Sequence, residues 1–230
     1  MGGIYMRYSV VMPSLLREIA HKQVILDCIE SVKKYSHDYQ FIIVDDGSPL
    51  MTGFLRDEAD VYIRHKVNKG ASVSENDGVF VSRGDYIVVI NDDIVVRENW
   101  LEKLGSVLVD KSVGAVGPAI SHLPHPTGIV DDYRWFPGSC FMFRRDTWNK
   151  VGSFDERFIP YNGEDTDFFE RILQANLKLT RNFDVVIDHK EGDVLHTFGN
   201  YDKRAKEANL QFAEKHGFDP VTKFYPPMKG

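Results

Sequence analysis

The chain has 230 residues, 43% hydrophobic and 27% charged, with a formal net charge of −6. That is enough length for one large domain with an ample core, and the acidic balance disfavours a nucleic-acid binder, which usually carries a basic face. Cys28 and Cys140 sit in apolar stretches and make neither a disulfide framework nor a zinc cluster.

The two thiols read as core residues in a reducing compartment. The N-terminal "MGGIYMRYSVVM" has no signal-peptide run, Met6 stands where a myristoylation signal wants Ser or Thr, and no stretch has the length of a transmembrane span. A cytoplasmic protein is the expectation.

In chain order, "YSVVM" (Tyr8 to Met12) reads as a strand stopped by Pro13 and Ser14. "HKQVILDCIESVKKY" carries Val24, Ile25, Cys28, Ile29 and Val32 at helical spacing. "FIIV" (Phe41 to Val44) is a buried strand ended by the turn formers "DDGSP", and "VYIRH" (Val61 to His65) is a short one. "ASVSENDGVFVSRG" fits a helix closed by Gly84, and "YIVVI" (Tyr86 to Ile90) is the fourth strand. Such strand–helix alternation predicts an α/β fold with a mostly parallel sheet covered on both faces.

Past Asp93 the pattern loosens. "NWLEKLGSVLVD" reads as a helix and "VGAVGP" as a strand. "SHLPHPTGIVDDYRWFPGS" reads as a loop too long for an idle connection, in which His122 and His125 are taken as ordinary loop residues. "CFMFRR" predicts a strand, "DTWNKVG" a short helix, "DTDFFERILQAN" a longer helix with Asp165 near its N-terminus, "VVIDH" a last strand and "YDKRAKEANLQFAEKHG" a C-terminal helix.

Ligands of open α/β sheets bind outside the carboxyl ends of the strands. Three polar clusters fall there: Pro13-Ser14, Asp45-Asp46 and Asn91-Asp92-Asp93. Ionised carboxylates at a core edge need pairing, hydrogen bonds or a metal, and oxygen ligands of this kind suit Mg²⁺ or Mn²⁺ bridging to substrate phosphates. The chain has no glycine-rich phosphate loop, so phosphate would be held through the metal and scattered donors such as Lys69 or Asn76. Taken alone, "DDGS" is also an excellent turn.

"IIVDDGSP", "NKGASVSENDGVFVSRGDYIVVINDD", "GSCFMFRRDTWNKVGSFDERF" and "GEDTDFFERI", in that order, resemble successive signatures of family 2 glycosyltransferases with the GT-A fold. The resemblance runs from Tyr8 to about His189. It implies one GT-A domain with a Rossmann-like sheet, a nucleotide-sugar half to about residue 96, a smaller mixed acceptor-side portion over about 97–199, and a C-terminal helix over about 200–216. By the resemblance, Asp45 and Asp46 hold base and ribose, and Lys69, Gly70 and Asn76 lie against the nucleotide and its diphosphate. Asn91-Asp92-Asp93 matches the "DxD" element with Asn in its first place, leaving Asp93 as metal ligand and Asn91 or Asp92 to help the sugar or ribose. Glu164-Asp165 matches the "ED" pair, with Asp165 as catalytic base of an inverting transfer and Glu164 as its rival.

The family often adds a His to the metal shell. His189 follows "DVVID" directly and is preferred over His196. Trp135 and Phe136 could form a platform for an acceptor sugar, with Gly138 beside them, or equally be ordinary aromatics covering the core. The expected partners are a UDP-, GDP- or dTDP-type sugar and a glycan or glycoconjugate acceptor. Two other readings compete. One is a sugar-nucleotidyltransferase, which the missing glycine-rich basic loop after Met12 counts against. The other is a nucleotide-sugar-binding module without catalysis, which the intact Asp93 and Asp165 count against.

Overall fold

The computed structural model of the chain describes residues 7–158, 162–190 and 201–221. Its strands are β1 (Tyr8–Ser14), β2 (Tyr39–Asp45), β3 (Val61–Arg64), β4 (Tyr86–Ile90), β5 (Ile94–Val95), β6 (Val113–Ile120), β7 (Ile129–Tyr133), β8 (Cys140–Arg144) and β9 (Lys178–His189). Its helices are α1 (His21–Tyr35), α2 (Gly53–Glu58), α3 (Ala71–Val81), α4 (Trp100–Val107), α5 (Arg145–Val151), α6 (Glu164–Gln174) and α7 (Tyr201–His216). The strands run in the order β3-β2-β1-β4-β8-β6-β9-β5, with β7 also on β9. The β3-β2-β1-β4 half is parallel; β8 then joins β4 and β6 antiparallel, and β9 lies parallel to β6. The fold is thus the α/β fold that the sequence pattern predicts, with its parallel half extended by antiparallel strands.

Alternation along the central strands builds two cores. Val10, Met12, Phe41, Ile43, Val88 and Ile90 face one side, where α1 lays Ile25, Cys28, Ile29 and Val32 on them and α4 adds Trp100, Leu101 and Leu104. Val11, Ile42, Val44, Ile87 and Val89 face the other side, against α3 and α6. A period of two feeding both faces is what a doubly covered sheet requires. The second core is aromatic: Phe141 meets Phe169 at 5.0 Å and Phe168 meets Phe154 at 4.7 Å between ring centroids. Both cysteines are free and buried.

Three elements depart from the sequence expectation. Helix α2 lies between "DDGSP" and "VYIRH", where the sequence pattern predicts no element, and β5 is a two-residue strand that pairs Ile94 with His189. The long Pro-rich segment contains β7, whose edge pairing to β9 through Ile129, Val130 and Tyr133 is set by the partner strand rather than by its own polar sequence. Gly84 does not close α3, since Ser82 ends it by donating its hydroxyl to Val79 O. Gly84 instead lets the turn press on β1, where a Cβ would lie 2.6 Å from Ser9 N. Among the described residues no helix is long and apolar enough to cross a membrane.

Candidate active site

The carboxyl ends of β1, β2 and β4 come together. Ser14 Oγ, at the end of β1, donates to Asp92 Oδ2 at 2.7 Å, and Leu15 N donates to the same oxygen at 3.3 Å. Burial, then the charge of Asp93, pushes the Asp92 carboxyl up to about 7, against the Ser14 hydrogen bond. Asn91 is exposed, and its N–H donates to Ser139 O at 2.8 Å.

The Asp45-Asp46 pair works inside the protein. Fully buried Asp45 accepts from Ser48 N, Thr52 Oγ1 and Tyr62 Oη, with Arg64 at 3.1 Å. Burial alone would raise its pKa, but these hydrogen bonds outweigh that and hold it below the usual carboxylate range. Asp46 accepts from Lys69 N and Gly70 N at 2.8 and 2.9 Å and meets His65 Nδ1 at 2.7 Å. The pair therefore pins the 65–70 loop to the strand ends. Gly47, at φ +75°, permits the crossing, since a Cβ there would lie 2.5 Å from Asn68 N. Lys69 contributes its backbone to this contact and leaves its side chain exposed.

β5 aligns the next pair. Because Ile94 pairs with His189 and Lys190 N donates to Asp93 O, His189 Nε2 comes to 3.3 Å from Asp93 Oδ1. A carboxylate oxygen and an imidazole nitrogen at that spacing fit adjacent corners of a six-coordinate divalent ion. Among the described residues no group of three His, Cys, Asp or Glu converges on one point, so this pair would leave most of an ion's shell to water and substrate oxygens. His196 lies outside the described residues.

Asp165 sits in the first turn of α6, entered through Asn162 and Gly163, both at positive φ (+76° and +97°). Thr166 donates to Asp165 Oδ1 from its N–H at 2.6 Å and its hydroxyl at 3.1 Å, and the Gly138 amide adds a further bond. Burial raises the Asp165 pKa, and these donors to the charged form restrain the rise. The Glu164 carboxyl is pushed well above the usual range, by burial first and then by the charges of Asp165 and Glu75, against hydrogen bonds from its own backbone N–H and that of Asn162. Asp167, two residues on, turns into the protein: it is fully buried and bound by Arg171 Nε at 2.8 Å, His216 Nε2 at 2.8 Å and Lys215 Nζ at 2.5 Å.

Trp135 is half-buried; its Nε1 donates to Thr166 Oγ1 at 3.2 Å, and it lines a cavity of about 370 Å³ with Asn162, Asp165, Asn209 and Phe212. Two predicted contacts are corrected. Phe136 is 1% exposed and packs on Phe169 at 4.4 Å between centroids, so it belongs to the core and offers no platform. The Asn76 amide is taken by the Phe154 backbone, donating to its carbonyl and accepting from its N–H, so it ties α3 to the segment before α6 rather than serving a diphosphate.

Sequence reasoning missed Glu75 and His65. Glu75 lies on the buried face of α3 with Ser72 and Val79, 6% exposed. A charged residue at i+3 on an inward face was the available signal. His65 bridges Asp46 and Asp77, and nothing in its local sequence marks that role.

Residues 9–164 match the family model described as glycosyl transferase family 2. The chain is 31% identical over 99 residues to the glycosyltransferase GlyG of Streptococcus pneumoniae serotype 4, a stretch covering 40% of this chain and 33% of that protein, so the match spans about a third of that relative's length. The fold is similar to that of the mannosyltransferase PcManGT from Pyrobaculum calidifontis in complex with GDP-Man and Mn²⁺, with TM-score 0.69 at 15% identity over 95% of this chain and 67% of that one. It is also similar to GalNAc-T7 with UDP, GalNAc and Mn²⁺, with TM-score 0.67 at 14% identity over 95% of this chain and 58% of that one.

Proposed function

The chain belongs to glycosyl transferase family 2, and we propose that it moves a sugar from a nucleoside-diphosphate donor to a hydroxyl of a glycan or glycoconjugate, with inversion. The observation that carries this reading is the 137–139 turn. Its Gly138 touches Asp165, and its Ser139 carbonyl accepts from Asn91 N. One turn thus joins the acidic end of β4 to the head of α6.

In this reading the half up to about residue 96 receives the donor and the part over about 97–199 the acceptor. A divalent cation, Mn²⁺ or Mg²⁺, held by Asp93 and His189, would neutralise the charge that develops on the leaving diphosphate. Asp92, anchored by Ser14, sets the orientation of Asp93, and Asp46 holds the Lys69-Gly70 wall. Asp165 takes the proton from the attacking hydroxyl. Burial raises Glu164 well above the usual range and Glu75 to about 8, while the Thr166 and Gly138 donors favour the charged form of Asp165, and environments that separate carboxyl pKa values in this way assign the base. One ionised carboxylate supports a single displacement, hence inversion. A panel of nucleotide sugars with Mn²⁺ tests the reading. Release of free nucleoside diphosphate is expected. Release of pyrophosphate would make the chain a nucleotidyltransferase, and no product would leave a binding module.

A further inference from the structure

We propose that the loops after β1, β2 and β3 form a docking surface for an anionic membrane, with Ile19, Met51 and Val67 entering the headgroup region above a basic rim. The three strands are parallel neighbours in the order β3-β2-β1. The segments that follow them therefore emerge in a row at one edge of the sheet. These segments touch one another. Leu16 N donates to Ser48 Oγ at 2.8 Å, and Lys22 Nζ lies 5.0 Å from the centre of the Phe54 ring. Gly47 sits so close to the Val67 backbone that no side chain fits between them. Each loop carries one large apolar residue in the open, Ile19 at 80% exposure, Met51 at 93% and Val67 at 66%.

A single exposed apolar residue needs no explanation, but one on each of three adjoining loops makes a cluster, and such clusters mark interaction surfaces. Two features favour a membrane over a folded partner. The first is form: the apolar residues stand on separate loops, and a fluid layer that yields to each side chain receives all three without a matching template. The second is charge. Within residues 15–22, 46–53 and 64–70 the exposed charged residues are Arg17, Lys22, Arg64, Lys66 and Lys69 against Glu18, in a chain whose formal net charge is −6. Asp46, in the second segment, is buried and paired with His65, and Arg64 shares its charge with the buried Asp45. An acidic protein is repelled by an anionic bilayer unless it presents a basic edge. The attraction reaches only about a Debye length, on the order of 10 Å, so that edge also sets the orientation. Interfacial binding combines buried apolar area with attraction to anionic lipid, and this edge offers both. Val109 and Leu210 are exposed apolar residues as well, but they lie after α4 and on α7, away from these loops.

Sedimentation of the full chain with vesicles tests this, with equal parts of phosphatidylcholine and phosphatidylglycerol set against phosphatidylcholine alone. Wild type should bind the mixed vesicles about tenfold more tightly or better, and added salt should weaken that binding. Lys22→Glu with Lys66→Glu should bind about 25-fold more weakly or worse, since each Lys or Arg near an anionic surface strengthens binding about fivefold. Ile19→Ser, Met51→Ser and Val67→Ser together should weaken it about tenfold or more, whereas Val109→Ser with Leu210→Ser should not. All of these side chains are exposed, so the melting temperature should hold in every variant, which separates a lost surface from a lost fold. An environment-sensitive dye on Met51→Cys, the two native cysteines being buried, should shift to the blue on the mixed vesicles. The same dye on Val109→Cys should not. No binding of wild type to the mixed vesicles would leave the rim to a soluble acidic partner and overturns the proposal. Equal losses in the loop and control variants, or matching dye shifts at the two positions, overturn it as well.

Discussion

Gly138 has no room for a side chain because Asp165 occupies that space: a Cβ on Gly138 would lie 2.6 Å from the Asp165 Cβ and 2.7 Å from its carboxyl carbon. The two residues are 27 apart in sequence and meet where the turn before β8 passes over the first turn of α6. Gly138 is not among the positive-φ glycines, so its backbone would accept alanine and the constraint comes from Asp165 alone.

Gly138→Ala should therefore fold and displace the carboxylate. A misplaced catalytic group of this kind costs about 10²-fold in turnover. Asp165→Asn, which removes the proton acceptor and little volume, should cost about 10²–10⁴. The double variant should be no slower than Asp165→Asn, since residues acting through one group are not additive. Steady-state kinetics with calorimetric nucleotide affinity checks this. Full turnover in Asp165→Asn with loss in Glu164→Gln would move the base to Glu164.

The Asp93–His189 pair makes the metal assignment testable without turnover. A ligand that binds only the folded state raises the melting point with occupancy, so nucleoside diphosphates should stabilise wild type in the presence of Mn²⁺ and not in EDTA. Asp93→Ala should abolish that increment. His189→Ala should weaken Mn²⁺ binding about tenfold or more, equivalent to about 1.4 kcal/mol. Equal stabilisation with and without metal would sink the assignment.

Much of this site is legible in the sequence because strand ends are legible. The runs "FIIV" and "YIVVI" end where polar residues begin, and the structure places those ends together. Gly163 before "EDTDFF" is likewise readable as a sharp turn and takes a left-handed φ of +97°. What sequence could not carry is pairing at a distance. Phe136 looks like its neighbour Trp135 along the chain, yet only Phe136 faces Phe169 and Phe141. Asn76 looks like a ligand donor until the Phe154 backbone is seen to occupy it. Strand β7 is invisible locally because an edge strand with an exposed face takes its structure from its partner.

Asp167 should matter for stability and not for chemistry. It is fully buried with Arg171, Lys215 and His216 around it, joining α6 to α7. Removing one partner of a buried ionic cluster typically costs about 3–5 kcal/mol. Arg171 also donates to Val151 O and Ser153 O, and Lys215 also pairs with Asp155, so Asp167→Ala should fall near about 3 kcal/mol in urea unfolding. Turnover per folded molecule should stay near wild type. A stable but inactive variant would instead place Asp167 in the reaction.

Glu75 gives a pH dependence whose sign follows from its burial. Burial, then the charge of Asp165, raises it from an ordinary 4.5 to about 8. Between those two values the folded chain keeps a proton that the unfolded chain has released, so the folded state binds more protons and stability falls as pH rises. The contribution is fully present below about pH 4.5, declines through the window up to about 8, and is constant above it. Within the window the slope approaches about 1.4 kcal/mol per pH unit, or about 2–4 °C in melting temperature per kcal/mol for a chain of this size. Glu164 shifts in the same direction, so wild type should lose melting temperature steadily from about pH 5 to 8. Glu75→Gln carries no titrating proton at that position and should lose less. Its advantage over wild type should start near zero at pH 5, grow with pH and level off above about 8. Parallel melting curves for the two proteins across the whole range would mean that Glu75 titrates as an ordinary exposed carboxylate, and its burial on α3 as a neutral acid would be wrong.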